Sequence, residues 1–190
     1  MSKFTRVDTV IPDLFIIKPT VFGDNRGFFM ETYNKKEFER IGIDVDFVQD
    51  NHSKSKKGTL RGLHFQKEFP QAKLVRVIKG EVYDVVVDIR ANSHTFGKWF
   101  GVILSEENKR QLLIPEGSAH GFLALTDIVE FTYKCSDYYH PEDEGGIIWN
   151  DPELSIEWPL EKYGIDDPLL SEKDTKWPTL KELKFSRLED

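Results

Sequence analysis

The chain has 190 residues, 39% hydrophobic, 13% aromatic and 31% charged, with a formal net charge of −7. That length suits one domain with a sizeable core, and the acidic balance argues against nucleic acid as a general partner, although a basic pocket can still hold a small anion. The single cysteine, Cys135, excludes an intramolecular disulfide, the first residues lack an apolar signal core, and no apolar run nears a membrane span, so a cytoplasmic protein is expected.

No repeat or low-complexity tract interrupts the chain, so a single domain over 1–190 is expected, with about 165–190 packing back on its body. In chain order, Asn34-Lys35-Lys36-Glu37 resembles an N-cap with a carboxylate at N3, and Phe38 and Ile41 follow on one side of a short helix. Lys79-Gly80 offers a turn within 75–90. After it, Tyr83, Val85, Val87 and Ile89 alternate with Asp84, Val86 and Asp88, the two-residue period of a strand. Trp99 to Leu104 is almost continuously apolar, as in a strand covered on both faces, and Leu112–Ile114 and Gly121–Leu125 add short strands. Residues 128–135 alternate again, placing Val129, Phe131, Tyr133 and Cys135 on one face, so Tyr133 should point into a core or a cavity. A second helical stretch is expected from Ser171 to Leu183. Many short strands and little helix predict a mostly β protein, an antiparallel jelly roll with a few short helices.

Two segments hold the chemistry. Leu60-Arg61-Gly62-Leu63-His64-Phe65-Gln66 and Ile114-Pro115-Glu116-Gly117-Ser118-Ala119-His120-Gly121-Phe122 each set one histidine among apolar residues. The second has the Pro-x-Gly-x-x-His spacing of small β-barrels of the cupin type. The first reads His-x-Gln where a metal-binding cupin shows His-x-His, so a three-ligand site would need a carboxylate from elsewhere. That favours acid–base chemistry over a metal. His52, His94 and His140 lie in polar segments, where a solvated role is the default.

A buried imidazole backed by a carboxylate can act as a general base. Asp84 and Asp88 share one strand face, which could equally be a polar sheet face. Asp174 lies in Ser171-Glu172-Lys173-Asp174, whose spacing by itself favours a helix cap. Tyr133 is the best internal proton donor, since a phenol with a pKa of about 10 stays protonated at neutral pH; the alternative is a core tyrosine with a satisfied hydroxyl. Arg26, Arg61 and Lys73 are either solvated or suited to a diphosphate. By strand parity Arg61 faces away from His64, so it either reaches a shared ligand through a bend at Gly62 or serves something else.

At these residues the sequence closely resembles the dTDP-4-dehydrorhamnose 3,5-epimerase family of cupin-type enzymes. The likeness runs in order through Val21–Glu31, Phe47–Ser53, Leu60–Gln66, Lys73–Arg76, Gly80–Arg90, Ile114–Phe122, Phe131–Tyr139, Trp149–Pro152 and Leu170–Asp174. The resemblance implies that His64 is the proton-abstracting base, Asp174 its carboxylate partner, Tyr133 the donor on the opposite side of the sugar ring, and Lys73 the cation near the C4 oxygen. It reverses the capping preference for Asp174. It also implies that Arg26, Glu31, Gln49, Asn51, Arg61, His120, Glu144 and Lys173 bind the nucleotide sugar, with Tyr138 stacking on or bordering the nucleotide. A homodimer is implied, with Arg26 reaching the neighbour's pocket, and neither metal nor redox cofactor is required. The implied reaction inverts C3 and C5 of dTDP-4-dehydro-6-deoxy-D-glucose; a relative inverting only one of these carbons would use the same groups.

Overall fold

The computed structural model describes residues 3–183. Two antiparallel sheets face each other. The first has six strands in the order β1 (Phe4–Asp8), β2 (Phe15–Pro19), β10 (Gln111–Ile114), β7 (Lys73–Lys79), β12 (Ile128–Cys135) and β5 (Gln49–Lys56). The second has five, in the order β13 (Glu144–Gly146), β6 (Leu60–Gln66), β11 (Ser118–Ala124), β8 (Glu81–Asp88) and β9 (Trp99–Ser105). A separate hairpin pairs β3 (Phe22–Asp24) with β4 (Gly27–Phe29), and the one α-helix among the described residues is α1 (Lys35–Arg40). This is the expected cupin-type β architecture with very little helix.

Alternation accounts for the layers. Val75, Val77, Val82, Val86, Leu112, Phe122, Val129 and Phe131 meet between the sheets as the central core. On the outer face of the five-stranded sheet, Leu63, Phe65, Val85, Val87 and Ile89 pack under Trp99, Trp158, Leu180 and Leu183. The outer face of the six-stranded sheet is covered by Phe38 of α1 with Phe4, Ile17, Ile43, Leu74 and Leu113. β8 is therefore buried on both faces, which decides one open question: Asp84 and Asp88 lie in the interior, each 0% exposed, and do not form a solvated polar face.

Asn34 caps α1 as expected, its side chain accepting from the Glu37 backbone N–H at 3.4 Å. The helix expected from Ser171 to Leu183 is absent. The segment is a run of turns in which Asp174 N–H reaches Ser171 O (3.1 Å) and Lys176 N–H reaches Lys173 O (3.0 Å). Pro178 explains much of this, since the residue before a proline is pushed out of the helical region and the ring supplies no N–H. Ile165 and Leu170 pack with Leu60, Leu123 and Leu125. The last part of the 165–190 segment, residues 184–190, lies outside the described residues. No helix among the described residues is long and apolar enough to cross a membrane.

Candidate active site

A cavity of about 620 Å³ opens between the two sheets, well within the size range of small-molecule sites. β5 gave no apolar periodicity because its inward residues are polar: Gln49, Asn51 and Ser53 line the cavity. Register aligns the rest of this wall. Cys135 of β12 stands between Gln49 of β5 and Lys73 of β7, and Tyr133 stands between Asn51 and Val75. On the opposite sheet His120 pairs directly with His64 across β11 and β6. The cavity thus has Lys73 and Tyr133 on one sheet and the two histidines on the other.

Arg61 joins this lining because of a bulge. Between the pairs His120–His64 and Phe122–Arg61, β11 advances two residues while β6 advances three. The extra residue resets the alternation, so Arg61 and His64 both face the cavity. Gly62 permits it. Its φ is +132°, and a Cβ there would lie 2.5 Å from Gly121 Cα. The bend anticipated at Gly62 is present, and Arg61 is steadied by hydrogen bonds to Ser55 Oγ (3.1 Å) and Lys54 O (3.4 Å).

Each histidine has its own carboxylate. His64 Nε2 donates to Asp174 Oδ1 at 2.5 Å, and Asp174 Oδ2 accepts from Ser171 Oγ at 2.7 Å. Burial raises the Asp174 pKa, but hydrogen bonds from His64, Ser171 and Trp177 outweigh it and hold the carboxyl below its usual range. An ionised carboxylate only accepts, so in the neutral imidazole the proton sits on Nε2 and the lone pair on Nδ1. His120 Nε2 sits 3.0 Å from both oxygens of Asp84. There burial dominates and the Asp84 pKa is raised, opposed in part by His120 and Lys73.

Burial also pushes the Lys73 ammonium below the ordinary lysine value, against the opposing charges of Cys135, Glu144 and Asp84. The Tyr133 phenol is pushed above its usual value, chiefly by burial, and is therefore protonated at neutral pH. At the mouth, Lys173 Nζ bridges both oxygens of Glu144 at 2.8 and 2.7 Å. Among the described residues, no group of three His, Cys, Asp or Glu side chains is placed to hold a metal ion. With the imidazole neutral, the arrangement provides a free ring nitrogen, a protonated phenol on the opposite sheet and a half-buried lysine amine. Together these suit removal and return of a proton next to a carbonyl.

Of the thirteen residues singled out from the sequence, Gln49, Asn51, Arg61, His64, Lys73, His120, Tyr133, Glu144, Lys173 and Asp174 line this cavity. Three do not. Arg26 sits at the tip of the β3–β4 hairpin with its side chain 85% exposed and paired with Asp24. Glu31 is held by Lys3 at 2.5 Å. Tyr138 is 61% exposed and does not line the cavity; its neighbour Tyr139 is in the wall, with its hydroxyl donating to Glu144 at 3.3 Å. Tyr139 follows β12 in an irregular segment, where alternation gives no guide to which of two adjacent tyrosines turns inward. Asp84 could have been found as a partner from its place between Val82 and Val86 on the core face of β8, since a buried acid there demands a donor.

Residues 8–182 match the profile of the family described as dTDP-4-dehydrorhamnose 3,5-epimerase. A dTDP-4-dehydrorhamnose 3,5-epimerase from Methanothermobacter thermautotrophicus is 54% identical over 182 residues, covering 96% of this chain and 97% of the relative. The solved structure of a dTDP-6-deoxy-D-glucose-3,5-epimerase from Legionella pneumophila, in complex with dTDP-4-keto-L-rhamnose, superposes with a TM-score of 0.90 at 51% identity and covers 95% of each chain. A 3′-monoepimerase from Streptomyces bikiniensis in complex with dTDP-quinovose superposes with a TM-score of 0.84 at 35% identity, covering 91% of this chain and 86% of that one. Sequence and fold thus agree along nearly the whole length, and the chain belongs to the dTDP-4-dehydrorhamnose 3,5-epimerase family.

Proposed function

We infer that this protein is an epimerase that inverts C3 and C5 of dTDP-4-dehydro-6-deoxy-D-glucose to give dTDP-4-dehydro-L-rhamnose in deoxysugar biosynthesis. One observation carries the chemistry: the His64–Asp174 pair and Tyr133 line a single cavity from opposite sheets. The C4 ketone acidifies the hydrogens on C3 and C5, because the carbanion formed on either carbon delocalises onto oxygen. His64 Nδ1 takes the hydrogen from one face, and Asp174 stabilises the imidazolium. Lys73 offsets the charge growing on the C4 oxygen, in a desolvated setting where an ammonium acts strongly. Tyr133 returns a proton to the other face, and inversion follows from the opposed placement of base and donor. Gln49, Asn51, Arg61, His120, Glu144 and Lys173 hold the nucleotide sugar.

Arg26 and Glu31 lie outside this chain's own cavity, and Phe22, Phe28 and Phe29 of the hairpin are 57, 59 and 68% exposed. An apolar arm of this kind suits burial against a second copy, so a homodimer in which Arg26 enters the neighbouring pocket is part of the proposal. We place the protein in the cytoplasm, where its one buried free cysteine stays reduced. The 190 residues act as one domain.

The likeness to a 3′-monoepimerase supports a second reading, in which only C3 is inverted by the same groups. Incubation with the 4-dehydro sugar nucleotide in D₂O, followed by proton NMR, separates the readings. Deuterium at C3 and C5 with inversion at both is expected. Exchange at C3 alone would favour the second reading, and no exchange at either carbon would refute both. His64→Ala should abolish exchange at both positions with nucleotide binding nearly intact, whereas Tyr133→Phe should spare exchange more than inversion.

A further inference from the structure

Trp177 does not line the cavity, yet three contacts tie it to the base behind it. Its indole Nε1 donates at 3.2 Å to Asp174 Oδ1, the same oxygen that accepts from His64 Nε2 at 2.5 Å. Its ring meets the His64 imidazole edge-on, with centroids 6.1 Å apart and planes at 70°. Its seat is Gly146, which pairs with His64 across β13 and β6. A Cβ on Gly146 would fall 2.5 Å from two indole carbons, so the missing side chain there is the space the indole occupies. The next residue pins the segment, because Ile148 N–H donates to Pro178 O at 2.9 Å.

These contacts do more than fill space. An indole that served only as packing would need no hydrogen bond to the catalytic carboxylate. With Trp177 and His64 on Oδ1 and Ser171 on Oδ2, the Asp174 carboxylate cannot rotate without breaking a bond. The imidazole is held through Nε2 and blocked along one edge by the indole.

We propose that Trp177 is a positioning residue of the proton-abstracting pair, locking the Asp174 carboxylate and the His64 ring so that Nδ1 is presented to the substrate. The proposal rests on the assignment of His64 as the base. Trp177→Phe is the informative change, because it keeps a ring on Gly146 and removes the N–H. Loss of one hydrogen bond to a charged acceptor corresponds to a fall in kcat of about tenfold, with KM within about twofold and slower deuterium entry in D₂O. Thermal stability should change little.

Gly146→Ala attacks the same contact from the other side, pushing the indole off its seat while leaving its N–H intact. It should give the same split, with kcat lowered and KM held. Wild-type kcat in Trp177→Phe would overturn the proposal, as would a rise in KM with kcat unchanged, since either would make the indole a packing or binding element. Failure of the unaltered protein to exchange any hydrogen would instead bring down the assignment of the base, and this proposal with it.

Discussion

His64 and His120 are direct cross-strand neighbours, yet their carboxylates place them in different electrostatic settings. Asp84 is fully buried and burial raises its pKa, whereas Asp174 is held down by three donors. A carboxylate that stays ionised is the better partner for an imidazole that must accept a proton. The Ser-x-x-Asp pattern anticipated one half of the Asp174 environment, since Ser171 and Asp174 do bond to each other. The other half comes from a histidine 110 residues away in sequence, a distance no local pattern spans. Because the folded-state pKa of Asp174 is lowered, its contacts add stability above the ordinary carboxylate value, and that contribution disappears as pH falls through the folded value. Thermal melts should therefore show the unaltered protein losing its advantage over Asp174→Asn as pH is lowered into the carboxylate range. At neutral pH, Asp174→Asn should reduce kcat by at least about 10²-fold by leaving the imidazole without its anion.

Among the elements, β6 is the one where a single residue decides the site. Strict alternation would turn Arg61 away from His64, and the bulge at Gly62 brings both inward. Gly62→Ala combines a left-handed φ with a backbone clash at 2.5 Å. It should destabilise the protein by about 2–4 kcal/mol in a urea titration, with a further loss of activity as Arg61 and His64 are pulled out of line. β8 and β12 were legible because alternating apolar residues follow the period of a strand, whereas β11, expected over Gly121–Leu125, runs from Ser118 to Ala124 and is buried throughout. β5 was not legible, since Gln49, Asn51 and Ser53 face the cavity while Asp50, His52 and Lys54 alternate with them. The stretch from Ser171 to Leu183 misled in the opposite sense. Its Ser-x-x-Asp start suggested a helix, but Pro178 and the pull of His64 on Asp174 leave it as turns.

At the scale of the whole molecule, the β3–β4 hairpin leaves apolar side chains and Arg26 exposed and outside the lining of the chain's own cavity. If Arg26 serves the neighbouring pocket, coexpressing Arg26→Ala with His64→Ala restores activity, because each mixed dimer then holds one site with both groups intact. Assay of the purified mixture against each variant alone checks this, and activity no greater than the sum of the two would place Arg26 in its own site. Composition and alternation sufficed for a mostly β molecule, and they pointed Tyr133 inward, because both are written in local spacing. The pairing of each histidine, the choice of Tyr139 over Tyr138 and the placement of His64 and Tyr133 on opposite walls were decided only by the tertiary structure. Each depends on strands and turns distant in sequence meeting in one register, which local chemistry does not encode.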